Sequence, residues 1–345
     1  STFKDGGKLG GITVSAVGIR FRRQCCMCSA PVNAHHLLAA VSGEIEVLST
    51  SVGLIRLYCS DQFNLPSTPP LLLVHSVNAV GSAAEVEPLF EHYRQSRCVY
   101  AIDLPGFGGS DRSEKIFDPR LMTDALHAVI SHISGKHAMS GLDVLALSLS
   151  AEFAARACVE KPDSIRRLAM VSPTGFQGKR DFQGPEGSTR FVPWLYRLLT
   201  WPAWSKTLFR LLTRPGVIRY FLKGMQGSEE VSEALWKYGV HTAQQPDAHH
   251  APLHFLSGRL FSADVNSLYA AVNKPVWVSM ATNGNFTDYR RRTSLAGRSN
   301  WQFHSMEGGA LPYFEDLHAF TKKLDQFFLS TPVLVSSDPG IPPNL

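Results

Sequence analysis

The chain has 345 residues, 44% of them hydrophobic and 18% charged, with a formal net charge of +5. That composition can bury a full core and excludes a disordered chain, and no apolar run approaches the ~20 residues that span a bilayer. The modest charge, with no basic run interleaved with base-stacking aromatics, argues against a nucleic-acid partner.

Residues 1–44 read as an N-terminal arm. The first forty hold Arg20, Arg22 and Arg23 but only Asp5 as an acid, which fits a targeting remnant or a solvated arm. The apolar stretch from Ile12 to Ile19 is too short, and too interrupted by Ser15 and Gly18, for a signal core. Cys25-x-x-Cys28 with His35 and His36 could hold zinc, but a second Cys-x-x-Cys or a His-x-x-x-His is missing, so no metal is expected. Cys59, Cys98 and Cys158 are scattered through strand-like or helix-like segments, which points to a reducing compartment such as the cytoplasm.

Residues 44–48 and 54–58 alternate polar and apolar on either side of Ser-Thr-Ser-Val-Gly, the pattern of an antiparallel hairpin at a sheet edge. Apolar strands follow at 71–75, 98–103, 143–147 and 167–171 without strict alternation, as in a mainly parallel sheet covered by helices on both faces. The helices between them are predicted at 83–95, 119–133 and 151–160. After Ser172-Pro173-Thr174-Gly175 the pattern breaks into a tryptophan-rich helical region that extends to about residue 262. Strands return at 275–280 and 301–304, a helix is predicted at 313–328, and 331–345 form a tail.

Within this order, Ala146-Leu147-Ser148-Leu149-Ser150 joins a strand to a helix, with small residues two positions either side of Ser148. A tight strand-to-helix reversal needs small neighbours and leaves the central hydroxyl exposed, so Ser148 is the predicted tip of a nucleophile elbow. Upstream, the strand 71–75 ends in His75-Ser76-Val77-Asn78, and the strand from Cys98 opens into Asp103-Leu104-Pro105-Gly106-Phe107-Gly108-Gly109-Ser110-Asp111. On these three motifs, over roughly residues 45–330, the chain resembles the α/β-hydrolase superfamily.

The resemblance implies an α/β-hydrolase core in two parts, 45–175 and 263–330, with a helical cap at 176–262. It also implies an oxyanion hole from the Leu149 amide and one amide of Ser76-Val77. The family's acid would fall at Gly284 and its histidine at Ala310, within Gly309-Ala310-Leu311-Pro312-Tyr313-Phe314-Glu315. Both positions depart from the family pattern. His304 and His318 lie too far along strand and helix to substitute, and Asp288 reads as a solvated loop charge. The remaining base candidates are His75, which in this family more often supports the oxyanion loop, and the cap histidines His249, His250 and His254. Glu152 reads as a carboxylate favoured by its helix N-terminus, with a place at the pocket border as the alternative.

Residues 179–223 carry Lys179, Arg180, Arg190, Arg197, Lys206, Arg210, Arg214, Arg219 and Lys223 against only Asp181 and Glu186. Nine aromatic residues share the segment, among them Trp194 and Trp201, so the cap is expected either to line an apolar pocket or to meet an anionic membrane surface. The expected substrate contacts are Asn78, Trp194, Trp201 and His254. Two functions stay open. One is a serine hydrolase of a small hydrophobic ester or acyl compound, using Ser148 with a non-standard base such as His75; the other is a pseudoenzyme that binds a hydrophobic ligand or a partner. Neither requires a cofactor.

Overall fold

The computed structural model describes residues 37–60, 68–178, 181–226, 230–284 and 286–330. The Cys25–Cys28 and His35–His36 positions, the arginines of the arm, Lys179, Arg180 and the tail from 331 lie outside the described residues.

Eight strands form one sheet: β1 (Glu44–Thr50), β2 (Gly53–Ser60), β3 (Leu71–Val74), β4 (Val99–Ile102), β5 (Leu142–Leu147), β6 (Ile165–Val171), β7 (Val276–Ala281) and β8 (Trp301–Met306). Their order is β1-β2-β4-β3-β5-β6-β7-β8, with β1 and β2 antiparallel at one edge and the rest parallel. The hairpin was legible because β1, on the edge, keeps one face wet. Strands β3, β5 and β7 are buried at every residue, which is why their sequences lack alternation.

Successive strand residues feed opposite layers of the core, as the pleat demands. Leu72, Val74, Val144, Ala146, Leu168 and Met170 pack on one face with α2 (Pro119–His137) and α3 (Ser150–Glu160). Leu71, Leu73, Leu145, Leu147, Ala169 and Val171 pack on the other with α1 (Glu87–Tyr93) and α10 (Leu317–Leu329). The single helix predicted at 83–95 is a short 3₁₀ turn at Ala83–Val86 that gives way to α1, with Pro88 in the first turn. The helix predicted at 313–328 starts later than expected, because the Asp316 side chain caps it by accepting from Ala319 N.

Between β6 and β7 the described residues make six helices. These are α4 (Pro193–Leu199), α5 (Ser205–Leu212), α6 (Pro215–Gln226), α7 (Glu233–Ala243), α8 (His250–Leu256) and α9 (Val265–Ala271). The last packs back on α3, whereas Phe209, Leu222 and Leu256 of α5, α6 and α8 border a cavity over the sheet. No helix among the described residues is long and apolar enough to cross a membrane.

Strand order positions the site. From β3 the chain moves one way to β4 and then returns across β3 to β5, so the C-terminal ends of β3 and β5 flank the point where the winding reverses. Helices lead off in opposite directions there, leaving a crevice in which ligands of open parallel sheets bind.

Candidate functional site

On the β5 side of the crevice Ser148 has φ 49°, a left-handed conformation uncommon outside glycine. Its backbone N–H donates to Val171 O at 2.8 Å, extending the ladder one step past β5, and its carbonyl accepts from Ala151 N at 3.2 Å as α3 begins. The chain therefore reverses on one residue. Ala146 and Ser150, which replace the usual glycines, are fully buried, and the Ser150 hydroxyl donates to His75 O at 2.5 Å.

On the β3 side, residues 76–80 are pinned from below by Glu85. Its carboxylate accepts from Ser76 N at 2.8 Å and from Asn78 Nδ2 at 2.6 Å, and Asn78 Oδ1 accepts from Val80 N at 2.8 Å. Burial pushes the Glu85 carboxyl up to about 7, against the hydrogen bonds from Ser76 and Asn78. Tyr313 donates to the Glu85 carbonyl at 2.7 Å, tying this loop to the segment after β8. Glu85 was missed in the sequence, where Ala-Ala-Glu-Val-Glu reads as an ordinary helical charge.

His75 is completely buried, and both of its ring nitrogens are taken by backbone. Nε2 accepts from Leu104 N at 3.0 Å, and Nδ1 donates to Ser76 O at 2.6 Å. An amide N–H can only donate and a carbonyl can only accept, so the ring is the neutral Nδ1–H tautomer. Burial lowers its pKa further. The expectation that His75 serves as base is therefore corrected: it bolts the exit of β3 to that of β4. Asp103 completes the brace by accepting from Ala83 N and Gly109 N, both at 2.8 Å. A Cβ on Gly108, at φ 49°, would lie 2.0 Å from that carboxyl carbon, which explains the Gly-x-Gly spacing.

Ser76, Val77, Asn78, Ser148 and Leu149 meet in one cavity of about 340 Å³. Among the described residues the backbone N–H groups of Val77 and Leu149 have no hydrogen-bond partner, and neither does the Ser148 hydroxyl. Thr174 is the fourth polar side chain on the wall; the rest is apolar, with Phe209, Phe221, Phe255, Phe261 and Phe286. Among the described residues no acid, histidine, lysine or arginine lines it.

Residues 71–322 match the model described as the alpha/beta hydrolase family. The chain belongs to that family. No curated protein matches it. Among solved structures, it is similar to a probable hydrolytic enzyme of Pseudomonas aeruginosa (TM-score 0.61, 13% identity, covering 86% of this chain and 96% of that one). The 2-hydroxy-6-oxo-6-phenylhexa-2,4-dienoate hydrolase of a Rhodococcus species gives TM-score 0.61 at 16% identity, covering 83% and 100%. A carboxylesterase of Bacillus subtilis gives 0.59 at 16%, covering 84% and 92%. Identities this low speak for the fold alone.

In this alpha/beta hydrolase the loops after β7 and β8 lie side by side, since Asn283 N donates to Gly308 O at 2.9 Å. Gly284 sits in the first at φ 78°, and Ala310 of the second lines the cavity. The end of α6 covers that second loop: Gly309 N donates to Gln226 O at 3.0 Å and Ala310 N to Met225 O at 2.5 Å. These loop amides satisfy the carbonyls that a helix leaves open at its C-terminus. A Cβ on Gly309 would meet Met225 O at 2.3 Å.

The other candidate bases lie off the cavity wall. His304 stacks on Trp277 with ring centroids 5.5 Å apart, and His318 is exposed on α10. Asp288 pairs with Arg290 at 2.8 Å and accepts from Gly178 N; the Arg290 hydrogen bond holds its carboxyl well below the usual range. Glu152 is buried behind Thr174, accepting from its hydroxyl at 2.5 Å and from Ser262 N at 2.8 Å; burial raises its pKa and Arg190 opposes the rise.

Three expected substrate contacts are corrected. Trp194 is 68% exposed and Trp201 56% exposed, because the faces of α4 and of the turn before α5 that carry them point to solvent. His254 is buried but engaged elsewhere: Nδ1 bonds His250 O at 3.0 Å, and the ring lies against Tyr196 at 4.6 Å. Asn78 does border the cavity, with its side chain occupied in holding the loop. Among the described residues one set has metal-ligand potential, Asp247, His249 and His250, whose ligand atoms lie within 4.8 Å of one another. It stands at the start of α8, and none of its members lines the cavity.

Proposed function

We propose that this alpha/beta hydrolase binds an apolar acyl compound in the cavity above Ser148, its carbonyl oxygen held by the Leu149 and Val77 amides. In this reading Ser148 turns over slowly or not at all, so the chain works as a hydrophobic-ligand binder. The observation that carries it is the wall itself: among the described residues, the cavity that holds Ser148 contains no titratable side chain able to take its proton. Serine attack needs such a group, and a strand-to-helix serine alone supplies only position. A volume of about 340 Å³ lies at the lower end of small-ligand sites, ~300–1,000 Å³. The helices between β6 and β7 act as the cap that closes it.

A serine hydrolase acting on a small hydrophobic ester is the second reading. The strained φ of Ser148 and the two unpartnered amides support it, as do the hydrolytic names of the similar structures. A nucleophile elbow and oxyanion hole without the rest of a triad retain ~10³–10⁴ over water.

Fluorophosphonate labelling with a Ser148→Ala control separates the two, run beside titration with a fluorescent fatty acid. The binder reading expects saturable ligand uptake and no Ser148-dependent label. Rapid labelling that vanishes in Ser148→Ala establishes the hydrolase instead.

A further inference from the structure

Eight of the thirteen large hydrophobic side chains that stay exposed among the described residues lie between 194 and 256, on the helices over the cavity and the turn between α4 and α5. All three exposed tryptophans, Trp194, Trp201 and Trp204, are among them. From 191 to 223 the sequence contains six basic residues and no acid.

Helix α5 shows how these are arranged. Ser205, Phe209 and Leu212 share one face, and Phe209 and Leu212 line the cavity. The outward face carries Trp204 and Leu211 in one row and Lys206 and Arg210, spaced i and i+4, in the next. Helix α6 repeats the scheme, with Leu222 and Met225 inward and Tyr220 exposed. Phe221 and Leu256 stand at the rim: both line the cavity, yet they are 56% and 43% exposed. Phe221 and Leu256 thus carry the cavity lining out to the surface of the same helical insertion that presents the aromatic and cationic rows.

We propose that the outer face of α4–α6 docks on an anionic lipid bilayer, with the cavity mouth at Phe221 and Leu256 against it. Tryptophan and tyrosine settle at the headgroup level, and lysine and arginine add electrostatic attraction to anionic lipid. Charge argues against a second copy as occupant, because a twofold contact would set Lys206, Arg210 and the other cations of this segment, of which Arg219 pairs with Glu233, against their own copies. The docking extends the ligand-binding reading, since it gives an apolar ligand a path between bilayer and cavity that avoids water.

The test is flotation of the full chain with phosphatidylcholine vesicles, with and without phosphatidylserine. The docked state predicts co-flotation only with the anionic vesicles, weakened by salt. Lys206→Gln with Arg210→Gln lowers the partition coefficient about thirtyfold, from ~1 kcal/mol per cation near the surface. Trp201→Ala with Trp204→Ala lowers it with the salt response intact, and circular dichroism checks that both variants fold. Equal flotation with both lipids, no flotation, or retention on polyglutamate without flotation overturns the proposal. Fluorescent fatty acid titrated without vesicles keeps the two readings apart: uptake with no flotation sinks the docking alone, and flotation with no uptake sinks the ligand site alone.

Discussion

Ser150 and His75 are joined across the point where the sheet reverses its winding: the Ser150 hydroxyl donates to the His75 carbonyl oxygen at 2.5 Å, and both residues are fully buried. The position that glycine usually occupies thus fastens the β5 turn to the end of β3. Ser150→Ala leaves the carbonyl without this donor and lowers the unfolding free energy by about 1–3 kcal/mol. Urea denaturation measures it; a change below about 0.5 kcal/mol would mean that the carbonyl finds another partner.

Glu85 makes stability depend on pH. Its folded pKa of about 7 lies above the ordinary 4.5, so between these values the folded chain holds a proton that the unfolded chain has released. Stability contributed by the protonated group is complete below pH 4.5 and is lost as pH rises to about 7, by an amount on the order of 3 kcal/mol. Glu85→Gln removes that slope. Denaturation midpoints across this pH window in both proteins provide the check, and parallel curves would assign the slope to another group.

The fold was legible because its signals are local. Fully apolar runs marked β3, β5 and β7, the alternating pair marked the edge hairpin, and the small residues at 146 and 150 marked the turn that puts Ser148 at φ 49°. Gly284 and Ala310 could be read as departures because family patterns flank them on the strand and helix sides. What depends on direction in space was not legible. Trp194 and Trp201 share composition with the phenylalanines that line the cavity, but they sit on the opposite side of their segments. Glu85 becomes the anchor of the 76–80 loop only through contacts made after folding, and His75 loses its lone pair to an amide 29 positions away.

Filling the cavity should stop ligand entry without touching Ser148. Leu212 lines it from α5 and is only half-buried, so a tryptophan there extends into the space at little cost to the sheet. Leu212→Trp is expected to abolish uptake of a fluorescent fatty acid while the thermal midpoint stays within a few degrees of the parent. Unchanged affinity in a folded variant would place the ligand elsewhere.

The acid and histidine that the family resemblance places at 284 and 310 can be introduced there. Ala310 already borders the cavity with Ser148, and its backbone bond to Met225 O does not involve the side chain, so a histidine at this position enters the same space. Gly284 has φ 78°, a conformation that aspartate tolerates better than most residues, and the hydrogen bond from Asn283 N to Gly308 O keeps the two loops together. Gly284→Asp with Ala310→His is therefore expected to raise ester hydrolysis and fluorophosphonate labelling about a hundredfold, a small part of the ~10⁶ that a complete triad contributes. Adding Ser148→Ala must return both to background. If the double variant folds and gains nothing, Ser148 is not aimed for attack, and the residues at 284 and 310 are not what limits its reactivity.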